Sequence, residues 1–541
     1  MSDNNPSVGR SSAVMAAGTL ASRLTGAIRT IALGAFGYRA FTDVYTQANT
    51  APNMVYELVA GGVLSATLVP LFAQLMRRNN KRSQDGLNAI ISLFTVVVVA
   101  ASVLLALAAP LILRIPYGDP QDAAKLRVGT QLLRLFAPQV AFYGFVTIST
   151  SMLNVRRRFF APMFAPVINN VVVIIVLVWV HRIIHASTHG ANYLEKIAND
   201  GSSRLLLGLG TTLGVVAMAV AVIPSLIASD VAVRWHWEPR HKAIRELVRL
   251  SVWTFGYVAC NIAALLFVQR AAAKGPEGDY ASYAAAYSTF FLLPHGLFAV
   301  SIATAIQPEL ADAFLERRRN RFRSVLVRGI RMQLTVMIPA AVGFIILARP
   351  IVATLRFGEM NGSDVTRLAR ILQAFALGLP FFSIYLLLMN ACKAMRDTRI
   401  TFVVNAVENA SNILLASLFL LFGWGVRGLA LSFAAAYVIG AAIAFVVVHQ
   451  RLRGLKERSL ALDGGRIATA SLCMGAAVFG VRYLAGTLLT VSSRPGALAQ
   501  VGASVVVGVT VYAIVGRLVG VADIAFIAEG LTRRLRSRPH R

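Results

Sequence analysis

Long apolar runs alternate with short polar segments along the whole chain, and most of these polar segments are basic. A bilayer hydrocarbon core about 30 Å thick is crossed by about 20 helical residues. Runs of that length occur at fourteen places: 12–36, 47–76, 87–113, 128–155, 161–184, 205–230, 246–272, 281–313, 326–349, 366–392, 400–422, 428–449, 467–488 and 497–518. The pattern predicts an all-α integral membrane protein with about 14 transmembrane helices.

The basic residues fall mainly on one side of these predicted spans. The chain has 541 residues and a formal net charge of +29. With the N-terminus placed in the cytoplasm, the inner segments hold thirty lysines and arginines and the outer segments hold ten. This bias predicts a multi-pass protein with both termini in the cytoplasm. The positive charge then contacts anionic membrane lipids, and no nucleic-acid partner is expected.

Two blocks of the sequence resemble each other at a constant offset. Residues 43–78 and 281–316 align with a separation of 238, which matches Tyr45 with Tyr283 and Pro70 with Pro308. A repeat that keeps its orientation predicts two pseudo-symmetric halves around a central cavity that holds the substrate. The predicted parts are an N-terminal lobe at 1–230 (spans 1–6), a C-terminal lobe at 231–449 (spans 7–12), and spans 13–14 with a basic cytoplasmic tail at 450–541.

The first predicted span contains two arginines, Arg23 and Arg29. A charged side chain near the bilayer centre costs about 2.5 kcal/mol or considerably more, so each guanidinium needs a partner. Six residues on a regular helix differ by about 240° in direction, and Gly26 between the arginines permits a bend. The partners are either an anionic ligand or carboxylates such as Glu57 and Asp43.

Two carboxylates also lie deep within predicted spans. Glu57 either takes part in ion coupling or snorkels to the interface. In the eleventh span, Asn405, Glu408, Asn409 and Asn412 follow the i, i+3, i+4, i+7 spacing of one helix face. Such a stripe coordinates Na⁺, relays a proton, or hydrogen-bonds neighbouring helices. Ion coupling is therefore a hypothesis for these five residues, and no metal site is assigned.

Motifs of catalysis are missing from the sequence. It contains no Walker loop, no HExxH and no CxxC motif. The chain is therefore predicted not to be an enzyme and to need no cofactor. Any transport that it performs is expected to draw on an ion gradient or on the membrane potential.

Several short motifs, taken together and in this order, resemble the MurJ/MviN family of lipid II flippases in the MOP transporter superfamily. They are SRLTGAIR (22–29), TD (42–43), PN (52–53), GGVLSATLVP (61–70), LNVRRRFFAPMFAPVINN (153–170), LPHGLFAVSIATAIQPEL (293–310) and ACKAMRDTRITFVVN (391–405). The resemblance implies a two-lobed carrier in the bacterial cytoplasmic membrane. Its expected cargo is the undecaprenyl-diphosphate-linked disaccharide-pentapeptide used for peptidoglycan and cell-wall synthesis.

The resemblance also implies site residues. The cavity arginines of the family fall on Arg23 and Arg29, and the acidic residue of its first hairpin falls on Asp43. These three are the predicted substrate-binding residues. A diphosphate accepts charge-assisted and partly bidentate hydrogen bonds from guanidinium groups, which stay protonated when desolvated.

The chain departs from the family pattern at several positions. Family members carry a basic pair where this chain has Tyr56 and Glu57, a glutamate at Gly61, and an arginine at Thr289. Three interpretations follow: a rewired cavity, a flippase for another polyprenyl-diphosphate-linked sugar, or a transport-inactive scaffold. A scaffold would recruit other cell-wall synthesis proteins through its basic loops.

Overall fold

The structure is a computed structural model that describes residues 6–36, 39–61, 72, 81–156, 158–186, 193–229, 234–356, 359–455, 457–488 and 494–521. Throughout these ranges the regular secondary structure is helical, with no strand. The prediction of an all-α protein is therefore confirmed for the described part of the chain. Pro70 of the repeat and the basic tail beyond Val521 lie outside the described residues.

The helices are numbered in chain order. The earlier ones are α1 (Pro6–Gly34), α2 (Ala40–Tyr56), α3 (Lys81–Arg114), α4 (Ala123–Phe136), α5 (Gln139–Val155), α6 (Phe160–Ala186), α7 (Tyr193–Asn199), α8 (Gly201–Ile227) and α9 (Lys242–Ala273). The later ones are α10 (Asp279–Ala285), α11 (Val300–Leu315), α12 (Arg319–Thr354), α13 (Gly362–Ala394), α14 (Thr398–Leu421), α15 (Gly425–Leu452), α16 (Glu457–Leu488) and α17 (Arg494–Leu518).

Twelve helical stretches in the described residues are long and apolar enough to cross a membrane. They correspond to predicted spans three to fourteen. The first predicted span falls on α1, where Arg23 and Arg29 lower the mean hydropathy. The second begins in α2 and runs past Gly61 into residues that, except for Phe72, the structure does not describe. About 14 spans therefore agrees with the structure, although only twelve meet this measure of length and hydropathy.

The ends of several helices follow from local capping chemistry. Asp200 precedes α8, and its carboxylate accepts hydrogen bonds from the backbone N–H groups of Ser202 (3.0 Å) and Ser203 (3.2 Å). Hydrogen bonds from Ser202 and Ser203 hold the pKa of Asp200 at about 2. Before α13, Asn361 and Asp364 exchange side-chain-to-backbone bonds of 2.9 and 3.1 Å, a capping box.

Three helices end on an arginine in the left-handed conformation. Arg317, Arg396 and Arg453 follow α11, α13 and α15 and have φ angles of 56°, 58° and 57°. Glycine is the usual residue at this position because it has no Cβ to clash with the backbone. Gly423 after α14 and Gly520 after α17 follow that rule, with φ angles of 74° and 76°. The arginines therefore adopt a costly backbone conformation.

The chain divides into two compact units, each with its own apolar core. The first unit comprises Met1–Ala281 and Phe357–Met360, and the second comprises Ser282–Arg356 and Asn361–Arg541. In the first, Tyr45 and Phe136 are among the largest fully buried side chains, and in the second Tyr385 and Phe375 are. The predicted lobes at 1–230, 231–449 and 450–541 stay a prediction.

The internal repeat has a structural counterpart. Directly after α2, Glu57–Gly61 forms a π-helical segment. Between α10 and α11, His295–Ala299 forms another. Adding the repeat offset of 238 to 57–61 gives 295–299, so the two widened turns occupy equivalent positions in the two blocks. A further π-helical segment, Ala286–Phe291, has no equivalent because residues 48–53 belong to regular α2.

Candidate functional site

The helix that carries the two predicted substrate-binding arginines packs closely on α6. A Cβ added at Gly18 would lie 2.6 Å from the Met163 Cβ, so only glycine fits there. Further along α1, the Asn170 side-chain amide donates to the Ser22 carbonyl at 3.2 Å and to the Thr25 hydroxyl at 3.1 Å. These contacts bind one small-residue face of α1 to α6.

Arg23 and Arg29 lie on a continuous helix, because α1 runs unbroken through Gly26. Arg23 is exposed and Arg29 is half-buried. Among the described residues, no carboxylate lies within salt-bridge distance of either guanidinium. Pairing with Glu57 or Asp43, one of the two interpretations drawn from the sequence, is therefore not found in this structure.

Two tyrosines lie within electrostatic range of the half-buried arginine. The Arg29 guanidinium lies within electrostatic range of the Tyr45 and Tyr143 side chains. The Tyr143 ring lies beside that of Tyr56, with 5.4 Å between the ring centroids and a tilt of 43° between the planes. The Tyr56 hydroxyl bonds to the Thr147 hydroxyl. In the first unit, a cation on α1 thus lies within electrostatic range of neutral tyrosines on α2 and α5, and no described carboxylate neutralises it. Such a guanidinium suits an oxyanion.

The sequence analysis did not identify all the residues near Arg29. Tyr143 was not among the predicted residues, and a tyrosine inside an apolar run gives only a weak signal. Tyr56, which stands at a position where the family carries a basic residue, instead forms a neutral hydroxyl contact with α5. Thr289, the other departure, is buried in the π-helical segment Ala286–Phe291 of the second unit.

Asp43 has a clear set of backbone partners. Its Oδ2 accepts from the Gly278 N–H at 2.6 Å and its Oδ1 from the Ala281 N–H at 2.7 Å. The side chain is buried, at 6% exposure. Carboxylates that accept bonds from amides at the start of a helix stabilise that helix. The geometry gives Asp43 a structural role at the start of α10, and substrate binding by Asp43 stays a prediction.

Glu57 begins the first π-helical segment and is exposed. In the described part of the chain, no lysine, arginine or histidine lies within salt-bridge distance of its carboxylate. Widened turns of this kind occur frequently at functional sites, because they re-aim side chains and leave backbone groups less tightly paired. Ion coupling by Glu57 therefore stays a prediction.

The predicted polar stripe of α14 is buried in the second unit. Glu408 is 1% exposed, and its Oε2 accepts a 2.9 Å hydrogen bond from the Asn409 side-chain amide. That amide also donates to the Asn405 carbonyl at 2.9 Å. Gly440 of α15 packs against the glutamate, since a Cβ added there would lie 2.9 Å from the Glu408 Cγ. The described residues supply no cationic partner for this carboxylate.

The asparagines of the stripe reach neighbouring helices. The Asn405 side chain donates to the Tyr385 hydroxyl of α13 at 3.5 Å, and Asn412 accepts from the Ser432 hydroxyl of α15 at 3.0 Å. These are the helix–helix bonds that the sequence offered as one interpretation of the stripe. Within the described residues, no three His, Cys, Asp or Glu side chains form a group that could hold a metal ion.

The sequence of this chain is similar to those of known proteins from one family. The family model described as "Lipid II flippase MurJ" matches residues 33–498. A "Probable lipid II flippase MurJ" of Rhizobium tropici is 29% identical over 534 residues, covering 95% of each chain. The "Lipid II flippase MurJ" of Burkholderia cenocepacia is 24% identical over 450 residues, covering 80% of this chain and 82% of the relative.

Solved structures show the same fold. A structure titled "Lipid II flippase MurJ, inward closed conformation" matches with a TM-score of 0.73 and 24% identity, covering 93% of this chain and 98% of that one. An inward-facing MATE family transporter of the MOP superfamily matches with a TM-score of 0.66 and 15% identity, covering 81% of this chain and 96% of that one. Because the family model spans most of the sequence, this chain belongs to the MurJ family of lipid II flippases.

Proposed function

We propose that the protein moves lipid II across the bacterial cytoplasmic membrane by alternating access and so supplies peptidoglycan synthesis. The observation that carries the proposal is Arg29, a half-buried guanidinium with no described carboxylate in salt-bridge range. A positive charge within a membrane span is costly unless an anion pairs with it, and the diphosphate of a polyprenyl-linked precursor is such an anion.

The chemistry of the surrounding groups fits a diphosphate. Arg29 offers a planar fork that donates two parallel hydrogen bonds to one phosphate. Arg23 stands about 9 Å further along the same unbroken helix and about 240° around it, so the two guanidinium groups leave the helix in different directions. The proposed site therefore recognises the anion through the charge and the planar geometry of the guanidinium.

The energy for transport is proposed to come from an ion gradient or the membrane potential. One elementary charge that crosses the membrane contributes about 2.3 kcal/mol per 100 mV. Glu408, buried beside Asn405 and Asn409, and Glu57, in its π-helical segment, are the carboxylates proposed to take up the coupling ion or proton. No cofactor and no catalytic step enters this mechanism.

Orientation and protein partners belong to the same proposal. The proposed orientation has both termini in the cytoplasm, because lysine and arginine are more frequent in the inner segments than in the outer ones. Proteins of cell-wall synthesis that make or use the lipid-linked precursor are the proposed partners of the basic loops, and no nucleic acid takes part.

The decisive experiment measures lipid II at the outer face of cells depleted of their own lipid II flippase and supplied with this chain. Restored exposure of lipid II, lost in an Arg29→Ala variant that reaches the membrane in equal amount, is the expected result. Restored export of another polyprenyl-diphosphate-linked sugar without lipid II would assign a different cargo. Correctly folded protein that moves neither would support the scaffold interpretation.

A further inference from the structure

A cavity outside the proposed transport site lies in the second unit, at the ends of three helices. It has a volume of about 710 Å³ and is lined by residues from the C-terminal ends of α11 and α15, the start of α12, and Met395 just after α13. Three arginines line it: Arg317, Arg319 and Arg451. The charge bias predicts that these helix ends face the cytoplasm.

The backbone fixes the position of Arg317 at the cavity. The Arg317 N–H donates to the Phe314 carbonyl at 3.0 Å, and the Arg318 N–H donates to the Ala313 carbonyl at 2.9 Å, which together close α11 in a Schellman motif. Arg317 occupies the left-handed position of this motif, where glycine is favoured. The turn thus holds a charged side chain at a point where the backbone alone would favour glycine.

The arginines of this turn divide into two groups. Arg318 and Arg321 pair with the Glu316 carboxylate at 3.2 and 3.4 Å and do not line the cavity. Arg317 and Arg319 line the cavity, and no carboxylate of the described chain lies within salt-bridge distance of them. Arg451 pairs with Asp397 at 2.6 Å. The cavity therefore has an excess of positive charge that the described residues do not neutralise.

The rim of the cavity is apolar. Phe314 and Leu315 are 38% and 60% exposed, whereas Phe322 and Leu452 are buried at 1% and 4%. All four contribute to the lining. A free phosphate ion would gain nothing from exposed apolar side chains. A lipid uses both features, because its phosphate bonds to guanidinium groups while its acyl chains cover the apolar rim.

We infer that this cavity binds the phosphate head group of an anionic phospholipid, with Arg317 and Arg319 as the principal donors and Phe314 and Leu315 against the acyl chains. Basic pockets between transmembrane helices on the cytoplasmic side suit such head groups. The inference does not depend on the transported cargo. It assigns to the three helix ends a lipid that holds them together.

The test is native mass spectrometry of the purified full-length protein with added cardiolipin or phosphatidylglycerol. Removing two arginine charges in Arg317→Gln/Arg319→Gln is expected to weaken binding of the tightest lipid about thirty-fold, at roughly five-fold per charge. The matched control, Arg318→Gln/Arg321→Gln, removes the same charge from the same turn and should bind within about two-fold of the unchanged protein. Equal weakening in both variants, or in neither, would overturn the site.

Competition distinguishes the sources of phosphate. Phosphatidylcholine and inorganic phosphate at millimolar concentration should leave the bound lipid in place. Displacement by inorganic phosphate alone would show a simple anion site, and preferential displacement by undecaprenyl diphosphate would show a cargo site; either result contradicts the inference. Arg317→Gly/Arg319→Gln is a second variant that relieves the left-handed backbone, so loss of binding there cannot be ascribed to a damaged turn.

Discussion

Asp43 and Ala281 are joined by a 2.7 Å hydrogen bond from the Ala281 N–H to the Asp43 Oδ1. The two residues are separated by 238 positions, which is the offset of the internal repeat. Each residue is therefore the equivalent of the other in its own block. The contact lies within the first unit, which extends to Ala281. One copy of the repeat thus caps the start of the second copy.

The first prediction concerns this cap. Replacing Asp43 with alanine leaves the buried amides of Gly278 and Ala281 without acceptors, at a cost of about 1–3 kcal/mol each. Asp43→Ala should lower the thermal stability of the purified protein. Asp43→Asn keeps one acceptor oxygen, so its thermal stability should lie between those of the unchanged protein and Asp43→Ala. Lipid II movement per folded molecule should be unchanged in both. A lower activity per folded molecule at normal stability would instead assign Asp43 to the substrate.

The second prediction concerns the arginines of α1. Arg29→Ala and Arg23→Ala each remove charge-assisted bonds worth about 1.5–3 kcal/mol, so lipid II movement should fall roughly ten- to a hundred-fold. The lysine variants should also be impaired, because lysine keeps the charge but lacks the planar fork.

The control for the second prediction is Arg204→Ala. The Arg204 guanidinium donates to the carbonyls of Ile197 and Ala198, a purely structural pairing. This variant should lose folded protein and activity in proportion. Full activity per folded molecule in both Arg23→Ala and Arg29→Ala would contradict the proposed diphosphate site.

The third prediction concerns ion coupling. A glutamine has nearly the shape of glutamate but cannot carry the charge or take up the coupling proton. Glu408→Gln and Glu57→Gln should therefore fold normally and change the dependence of lipid II movement on pH, sodium or membrane potential. Glu309→Gln is the control, because the Glu309 carboxylate is already paired with Arg328. Unchanged dependence in both test variants would make the two carboxylates structural.

The fourth prediction concerns the π-helical segment Glu57–Gly61. A π turn holds one more residue than an α turn, so deleting Val59 should restore a regular helix without rotating the residues that follow. We expect this variant to fold and to lose most lipid II movement. Deleting Ala100 from the regular helix α3 is the contrasting change, since it rotates every later residue by about 100° and should abolish folding. Full transport without Val59 would show that the widened turn is dispensable.

The fifth prediction concerns topology. Reporters fused after Arg541 and within residues 77–85 should both be cytoplasmic, whereas one within 185–203 should be external. The prediction follows from the distribution of lysine and arginine about the spans. A C-terminal reporter on the outer side would contradict an even number of spans.

The features that the sequence predicted correctly depend on the spacing of residues within a single segment. Apolar length is a property of each segment, so spans such as α12 and α13 are evident without tertiary information. Helical periodicity also placed Asn405, Glu408 and Asn412 on one face, and that face is buried. In both cases the signal is contained within one helix.

What the sequence did not predict depends on packing between segments. Tyr143 lies within electrostatic range of Arg29 although the two residues belong to different helices and are far apart along the chain. The widened turn at Glu57–Gly61 adds one residue to a turn and leaves no mark in composition. The cavity at Arg317 combines the turn between α11 and α12 with Met395 and Arg451, which lie far from that turn along the chain. Such features need the assembled structure.

The cap at Asp43 also sets an order of events during biosynthesis. At a synthesis rate of about 5–20 residues per second, the ribosome needs about 12–48 s to extend the chain by the 238 residues from Asp43 to Ala281. Throughout that interval the carboxylate is already in place and its amide partners have not yet been made. A nascent chain released before Gly278 would carry a carboxylate that lacks both of its backbone partners.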